Sequence, residues 1–263
     1  MIESTTLINL SIDPLSNTLP NALDNSLNKP LGKLYGIGLG PGDPELLTLK
    51  GYRILRSVPI IVYPQSPDGR CISRSIVADY LQPHQLEIPM ILPFKPGQSS
   101  QPGYQKVADQ LAIHLADGQD VAVLCEGDPF FFGTFMYLYN RLNDRFPAEV
   151  VPGVSSVMAS ADMLGTPLTY RNDVFLALTG TLDADVIRSR LALADAAVIM
   201  KLGRNFAKVY SILDELGWLD RAYYIERSTM KDQKILPIRE VDPTQVPYFA
   251  MIVIPSQWKW KEG

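Results

Sequence analysis

From Lys33 onward, short and wholly apolar runs alternate with longer stretches whose apolar residues recur at helical spacing. LYGIGLG reads as a buried strand running into glycines, and Glu45 to Ser57 follows as a helix with Leu46, Leu47, Leu49, Ile54 and Leu55 on its apolar face. VPIIVY is the next strand, Cys71 to Leu81 and Gln101 to Asp117 are helices, and VAVLC is a further strand. A helix over Phe135 to Leu142, a short strand around Val150 and a helix from Ser155 to Leu164 complete this series. The turn-rich GTPLTYRND then leads into a second series that begins at Val174, with AAVIM, AYYIE and FAMIVI as its clearest strands.

Strands that alternate with helices predict a mainly parallel sheet with its loops gathered at the strand ends. The expected fold class is therefore α/β, as two consecutive α/β domains with the ligand cleft between them. The N-terminal domain is placed over 33–168 and the C-terminal one over 169–256, followed by a tail, 257–263. Residues 1–32, rich in Asn, Ser, Leu and Pro, show neither period and read as a poorly ordered extension without a catalytic part.

Composition narrows the function classes. Of 263 residues, 46% are apolar and 20% charged, enough for a sizeable core without a run of the roughly 18 to 20 apolar residues that spans a bilayer. With no basic start followed by a compact apolar block at the N-terminus, the cytosol is the expected location. A net charge of −4 argues against a nucleic-acid partner, and an anionic ligand would need a local basic pocket. Cys71 and Cys125 lie outside any metal or disulfide spacing, and His84 and His114 offer none, so no protein-bound metal is expected.

Three loops at predicted strand ends carry the candidate chemistry. GIGLGPGDP, Gly36 to Pro44, can present bare backbone amides to a ligand or simply turn the chain; it lacks the third glycine and acidic partner of a dinucleotide fingerprint. LCEGDPFFFG, Leu124 to Gly133, offers close approach at Gly127 and a carboxylate at Asp128 suited to a ribose or amine, while Phe130, Phe131 and Phe132 wall a ligand or fill core. In VPGVSS, Val151 to Ser156, the serines cap a helix or bind a polar ligand edge.

In this order, GLGPGDPELLTLKG, EGDPFFFG, PGVSS and VIMKLGR resemble the tetrapyrrole methylases, over about Lys33 to Ser256. VYPQSPDGR, LCEGDPFFFGTFMYL, MKLGR and YIERSTMKDQ are most similar to the branch that methylates C20 of precorrin-2 or of its cobalt-loaded counterpart, cobalt-factor II. Glu126 stands where other branches, such as those acting on uroporphyrinogen III, carry a second glycine. The resemblance implies a homodimer, cobalamin biosynthesis as the setting, a tetrapyrrole substrate and S-adenosylmethionine as methyl donor in the cleft. It also implies donor contacts at Pro41, Gly127, Asp128, Phe131, Ser155, Ser156, Met200 near the adenine, and Arg227, Ser228 and Thr229. Without it, Met200 would pass for a core methionine.

Methyl transfer from a sulfonium needs no protein nucleophile, which suits a chain without an evident Ser/His/Asp or Cys/His set. Methylation at a meso carbon must be followed by proton loss, for which Glu126 is the candidate base; a solvent-facing or Arg-paired carboxylate is the alternative. The substrate's carboxylates call for cations, and Arg70, Arg74, Lys201 and Arg204, with Arg227 and Lys231, lie near the segments above.

Overall fold

The computed structural model describes residues 29–91 and 100–257. By contacts the chain divides into Met1–Pro30 and Leu31–Gly263, and the fold below is that of the second unit. The extension expected over 1–32 lies outside the described residues as far as residue 28, and most of the expected tail, 258–263, does too. Gly32 is already tied in, its amide donating to the Leu115 carbonyl at 2.8 Å.

In chain order the elements are β1 (Leu34–Gly38), α1 (Leu49–Ser57), β2 (Ile60–Gln65), α2 (Ile72–Ile76), β3 (Leu86–Ile91), α3 (Gln101–Ala116), β4 (Val121–Cys125), α4 (Phe135–Leu142), β5 (Ala148–Val151) and α5 (Ser156–Leu164). A second series follows: β6 (Phe175–Thr179), α6 (Ala184–Leu191), β7 (Ala196–Met200), α7 (Phe206–Glu215), β8 (Tyr223–Glu226), β9 (Lys234–Pro237) and β10 (Ala250–Ile254).

The first sheet, ordered β3-β2-β4-β1-β5, is parallel throughout. Its central strands are apolar on both sides because both faces are covered. Along β4, Val121, Val123 and Cys125 pack with α3 and α4, while Ala122 and Leu124 pack with α1 and α2. The second sheet, ordered β6-β7-β10-β8-β9, is treated the same way: Ile252 and Ile254 of β10 join α6 and α7, and Met251 and Val253 join Val157 and Ala161 of α5. Helix α5, which follows β5 of the first sheet, thus packs on the second.

The expectation of parallel strands holds for the first sheet and fails for the second. Only β6 and β7 run parallel there; β10 is antiparallel to β7 and β8, and β8 to β9. For the β8–β9 pair the physical reason is the connector 227–233, which joins them without a crossover helix, so the chain can only double back. Two expected helices are also interrupted. Residues Pro44–Leu46 form a separate 3-10 turn before Thr48 caps α1, its hydroxyl accepting from the Gly51 amide at 3.1 Å. Past α2, buried Val77 breaks the helix expected over 71–81, and Ala78–Tyr80 continues as a 3-10 turn.

Reversal of β10 has a consequence for placement. The carboxyl ends of β7 and β8 and the start of β10 all fall on one side of the second sheet, and they face the carboxyl ends of β1, β2, β4 and β5.

Candidate functional site

Between these strand ends lies a cavity of about 690 Å³, within the range of small-molecule sites. Its floor on the first sheet is made by backbone meeting backbone. The Gly40 and Gly127 amides and carbonyls pair reciprocally, at 2.8 Å (Gly127 N to Gly40 O) and 3.3 Å, with Gly127 at φ +67°. Gly153 lies so close that a Cβ there would sit 2.1 Å from the Gly127 carbonyl oxygen and 2.7 Å from Gly38 Cα. The glycines of the three loops are therefore needed for loop-to-loop approach, ahead of any ligand.

Asp128 fixes the same junction. Its Oδ1 accepts from the Phe130 amide at 2.9 Å and its Oδ2 from the Gly153 amide at 3.2 Å. Sequence reasoning placed a ribose or amine on this carboxylate; the structure shows that it first staples the β4 loop to the β5 loop, with lone pairs left for a ligand. Asp128→Asn, which turns one acceptor oxygen into a donor, is expected to cost about 1–3 kcal/mol of stability, read as a lowered unfolding midpoint in denaturant. A midpoint equal to the parent protein's would show that the staple is dispensable.

On the opposite wall, Arg227 to Met230 reach back across the cleft. The Asp43 amide donates to Thr229 Oγ1 at 3.0 Å, and the Thr229 amide donates to Gln233 Oε1 at 2.7 Å. Beneath them, buried Glu226 accepts from the Tyr224 hydroxyl at 2.7 Å and pairs with Arg227 at 2.8 Å, while Asp232 lies 3.2 Å from the Arg227 Nε. Burial together with the bond to Glu226 pushes the Tyr224 phenol far above its usual value. Ser228 is 94% buried by its 6% exposure, lines the cavity, and its hydroxyl has no hydrogen-bond partner among the described residues. Among the described residues, five non-glycine residues have left-handed φ, and four of them, Phe132, Lys201, Arg227 and Thr229, belong to this site. Such backbone is costly and concentrates where side chains must be held for function.

Of the sequence-derived candidates, Pro41, Glu126, Gly127, Asp128, Phe131, Ser155, Ser156, Met200, Arg227 and Ser228 all line the cavity. Thr229 stands behind them as the stitch to Asp43. Ser155 also does what a cap does, its hydroxyl accepting from the Val157 amide at 3.3 Å. The aromatic trio divides: Phe131 and Met200 pack against the core between the sheets, Phe130 stacks on Phe135 with ring centroids 6.0 Å apart, and Phe132 is left facing the cavity.

Glu126 lies on the cavity wall, where burial pushes its carboxyl pKa upward; backbone amides oppose this, among them that of Ser73, which donates to Oε1 at 3.1 Å. Among the described residues the Glu126 carboxylate takes this amide and no arginine. The expected substrate cations also separate. Arg70 and Lys201 line the cavity, whereas Arg74 and Arg204 do not. Arg74 instead forms a two-pronged pair with Glu87 of β3, with Nη2 2.9 Å from Oε1, and this bond holds the Glu87 carboxyl below its usual range. Arg204 is exposed on a 3-10 turn after β7.

Sequence reasoning did not single out Gln65, Thr134, Met230, Tyr248 or Phe249, which also line the cavity. Gln65, Thr134 and Met230 fall inside the resemblance segments, so position relative to the motifs was the available signal. Tyr248 and Phe249 precede β10, and only its antiparallel return brings them here. Among the described residues, no group of three or more His, Cys, Asp or Glu is placed to hold a metal ion.

Residues 33–242 match the family model of the tetrapyrrole (corrin/porphyrin) methylases. The chain is 41% identical over 234 residues to the cobalamin biosynthesis protein CobIJ of Mycobacterium bovis, covering 86% of this chain and 46% of that protein. It thus spans about half the length of that relative. It is 38% identical over 238 residues to the precorrin-2 C(20)-methyltransferase of Sinorhizobium sp, covering 87% of this chain and 97% of the other. Among solved structures, the uroporphyrin-III C-methyl transferase from Thermus thermophilus, complexed with S-adenyl homocysteine, superposes with a TM-score of 0.64 at 28% identity, over 85% of this chain and 92% of that one.

Proposed function

The chain belongs to the tetrapyrrole (corrin/porphyrin) methylases, and from that premise we propose that it transfers a methyl group from S-adenosylmethionine to C20 of precorrin-2 or cobalt-factor II in cobalamin biosynthesis. The observation that carries the C20 assignment is the 38% identity to a precorrin-2 C(20)-methyltransferase over nearly the whole length of both chains. The cavity supports ligand binding independently, being large, built at strand ends, and provided with an orphaned buried serine hydroxyl for a ligand to satisfy.

When bound, the donor supplies an electrophilic methyl and leaves as a neutral thioether. The chain's own part is placement. Pro41, Gly127, Asp128 and Phe131 hold the donor from the first sheet, Ser155 and Ser156 from the start of α5, and Met200 with Arg227, Ser228 and Thr229 from the second. Rigid opposition of the two walls brings methyl and ring carbon to attack distance, which supplies roughly 7–11 kcal/mol of barrier lowering in favourable cases. Glu126 takes the proton released at the meso carbon. Arg70 and Lys201 meet substrate carboxylates from the wall. We divide the two domains near residue 168, where Leu168 carries the chain toward the second sheet, and take the enzyme to be a cytosolic homodimer.

Calorimetric titration with S-adenosylhomocysteine is expected to give one site per chain, and incubation with labelled donor is expected to methylate precorrin-2 or cobalt-factor II, with NMR placing the new methyl at C20. No heat at millimolar ligand would overturn the donor reading, and a methyl at another ring carbon would overturn the C20 assignment. The two incubations also decide between the metal-free and cobalt-loaded ring.

A further inference from the structure

Lys201 and Phe132 come from opposite walls of the cavity, one following β7 and the other in the loop after β4. Both hold left-handed backbone, at φ +55° and +54°, which neither side chain favours. They meet: the Lys201 ammonium lies 5.8 Å from the centre of the Phe132 ring. Phe132 keeps 40% of its surface exposed, although Phe131 beside it packs into the core between the sheets.

The other cations of the cavity wall each have a carboxylate of the chain that a substrate carboxylate must displace. Arg70 pairs with Asp68 at 2.8 Å, and Arg227 pairs with Glu226 at 2.8 Å. Lys201 is half-buried and has no acidic partner among the described residues; burial alone draws its pKa down. A cation kept partly out of water beside an aromatic face, without a carboxylate of its own, is an arrangement completed by an anionic and planar ligand.

We infer that Lys201 and Phe132 form the docking point that orients the tetrapyrrole, the ammonium taking one peripheral carboxylate while the Phe132 ring lies against the adjoining conjugated ring. This rests on the tetrapyrrole reading of the cavity, and goes beyond it by assigning orientation to a residue pair, one from each sheet. The two side chains meet across the cleft, so rotation of the substrate in its plane is fixed by a charge and a face together. Their chain neighbours Phe131 and Met200 are donor contacts in the proposed function, whereas Lys201 and Phe132 are not, so donor affinity and substrate affinity separate the two roles.

The test is absorbance titration of cobalt-factor II into the protein saturated with S-adenosylhomocysteine, where no turnover occurs. Lys201→Asn, chosen because asparagine tolerates left-handed backbone, is expected to weaken cobalt-factor II binding roughly tenfold or more. It should also flatten the salt dependence of that binding, and leave the S-adenosylhomocysteine affinity unchanged. Lys201→Arg is expected to restore most of the loss, and Phe132→Leu to weaken cobalt-factor II binding while keeping its salt dependence. Parent-like cobalt-factor II affinity in both Lys201→Asn and Phe132→Leu would overturn the assignment. Should Lys201→Asn fail to fold, Phe132→Leu and the salt dependence of the parent protein still decide it: unchanged affinity in the first, or none in the second, overturns it. Failure of the parent protein to bind either ligand would instead overturn the tetrapyrrole reading itself.

Discussion

Gly153→Ala is expected to remove measurable S-adenosylhomocysteine binding and to destabilise the fold by at least about 3 kcal/mol, beyond what overpacking a pliable core costs. The added methyl would stand 2.1 Å from the Gly127 carbonyl oxygen and 2.7 Å from Gly38, and all of these atoms are backbone. No flexible side-chain end is available to move aside. Relief requires the β5 loop to part from β1 and β4, which breaks the Asp128 bond to the Gly153 amide and disturbs the Gly40–Gly127 pairing. A loss of this size corresponds to a melting point roughly 6–12 °C lower for a body of this size. Gly165→Ala is the comparison: φ is +63°, but a Cβ there meets nothing within 4 Å, so only the left-handed cost of about 1–2 kcal/mol applies, and ligand binding should persist. Equal melting points for the two variants, with binding intact in both, would refute the close-contact account of the glycine loops.

Glu126→Gln is expected to lower the methylation rate by roughly 10²- to 10⁴-fold, the range lost with a positioned general base, with little change in S-adenosylhomocysteine affinity. Glutamine keeps an oxygen for the Ser73 amide, so the first turn of α2 should hold its place. The proton acceptor must be ionised, and burial raises its pKa, so the parent enzyme should lose activity as pH falls through a value above the ordinary carboxylate range. That acid limb should be absent in the variant. Stability runs the other way. Because the folded-state pKa is raised, the stabilising contribution of this group is full below the unfolded value and is lost as pH rises through the folded one. Above that window an ionised Glu126 is a burden on the fold, and Glu126→Gln should melt higher at neutral pH. Normal turnover with an unchanged pH profile would remove Glu126 from the mechanism.

The parts of the protein involved are unequally legible in the sequence. The central strands β1, β2, β4, β7 and β10 were readable as apolar runs because both of their faces are buried. β3 and β9 were not. Both are edge strands containing proline, and β3 buries only Ile88 and Met90, so neither leaves a run or a clean alternation. The direction of β10 was equally hidden, since a strand's own pattern records burial and not the sense in which its neighbours run.

By itself the sequence determined the order of most strands, helices and glycine loops and, through ordered motifs, the family and a set of the residues around the cavity. Tertiary structure decided which groups those residues meet. Asp128 was readable as a carboxylate beside a ligand loop, but its engagement by the Gly153 amide depends on how closely three loops approach. Arg74 and Lys201 were equivalent as charges, yet one is consumed by Glu87 and the other is left beside Phe132. Thr229 reaches Asp43 only because β10 turns back and presents the β8 loop to the first sheet. The physical reason is range: periodicity and propensity act within a segment, whereas a charge or an amide finds its partner only after the chain has closed between residues that lie far apart in sequence.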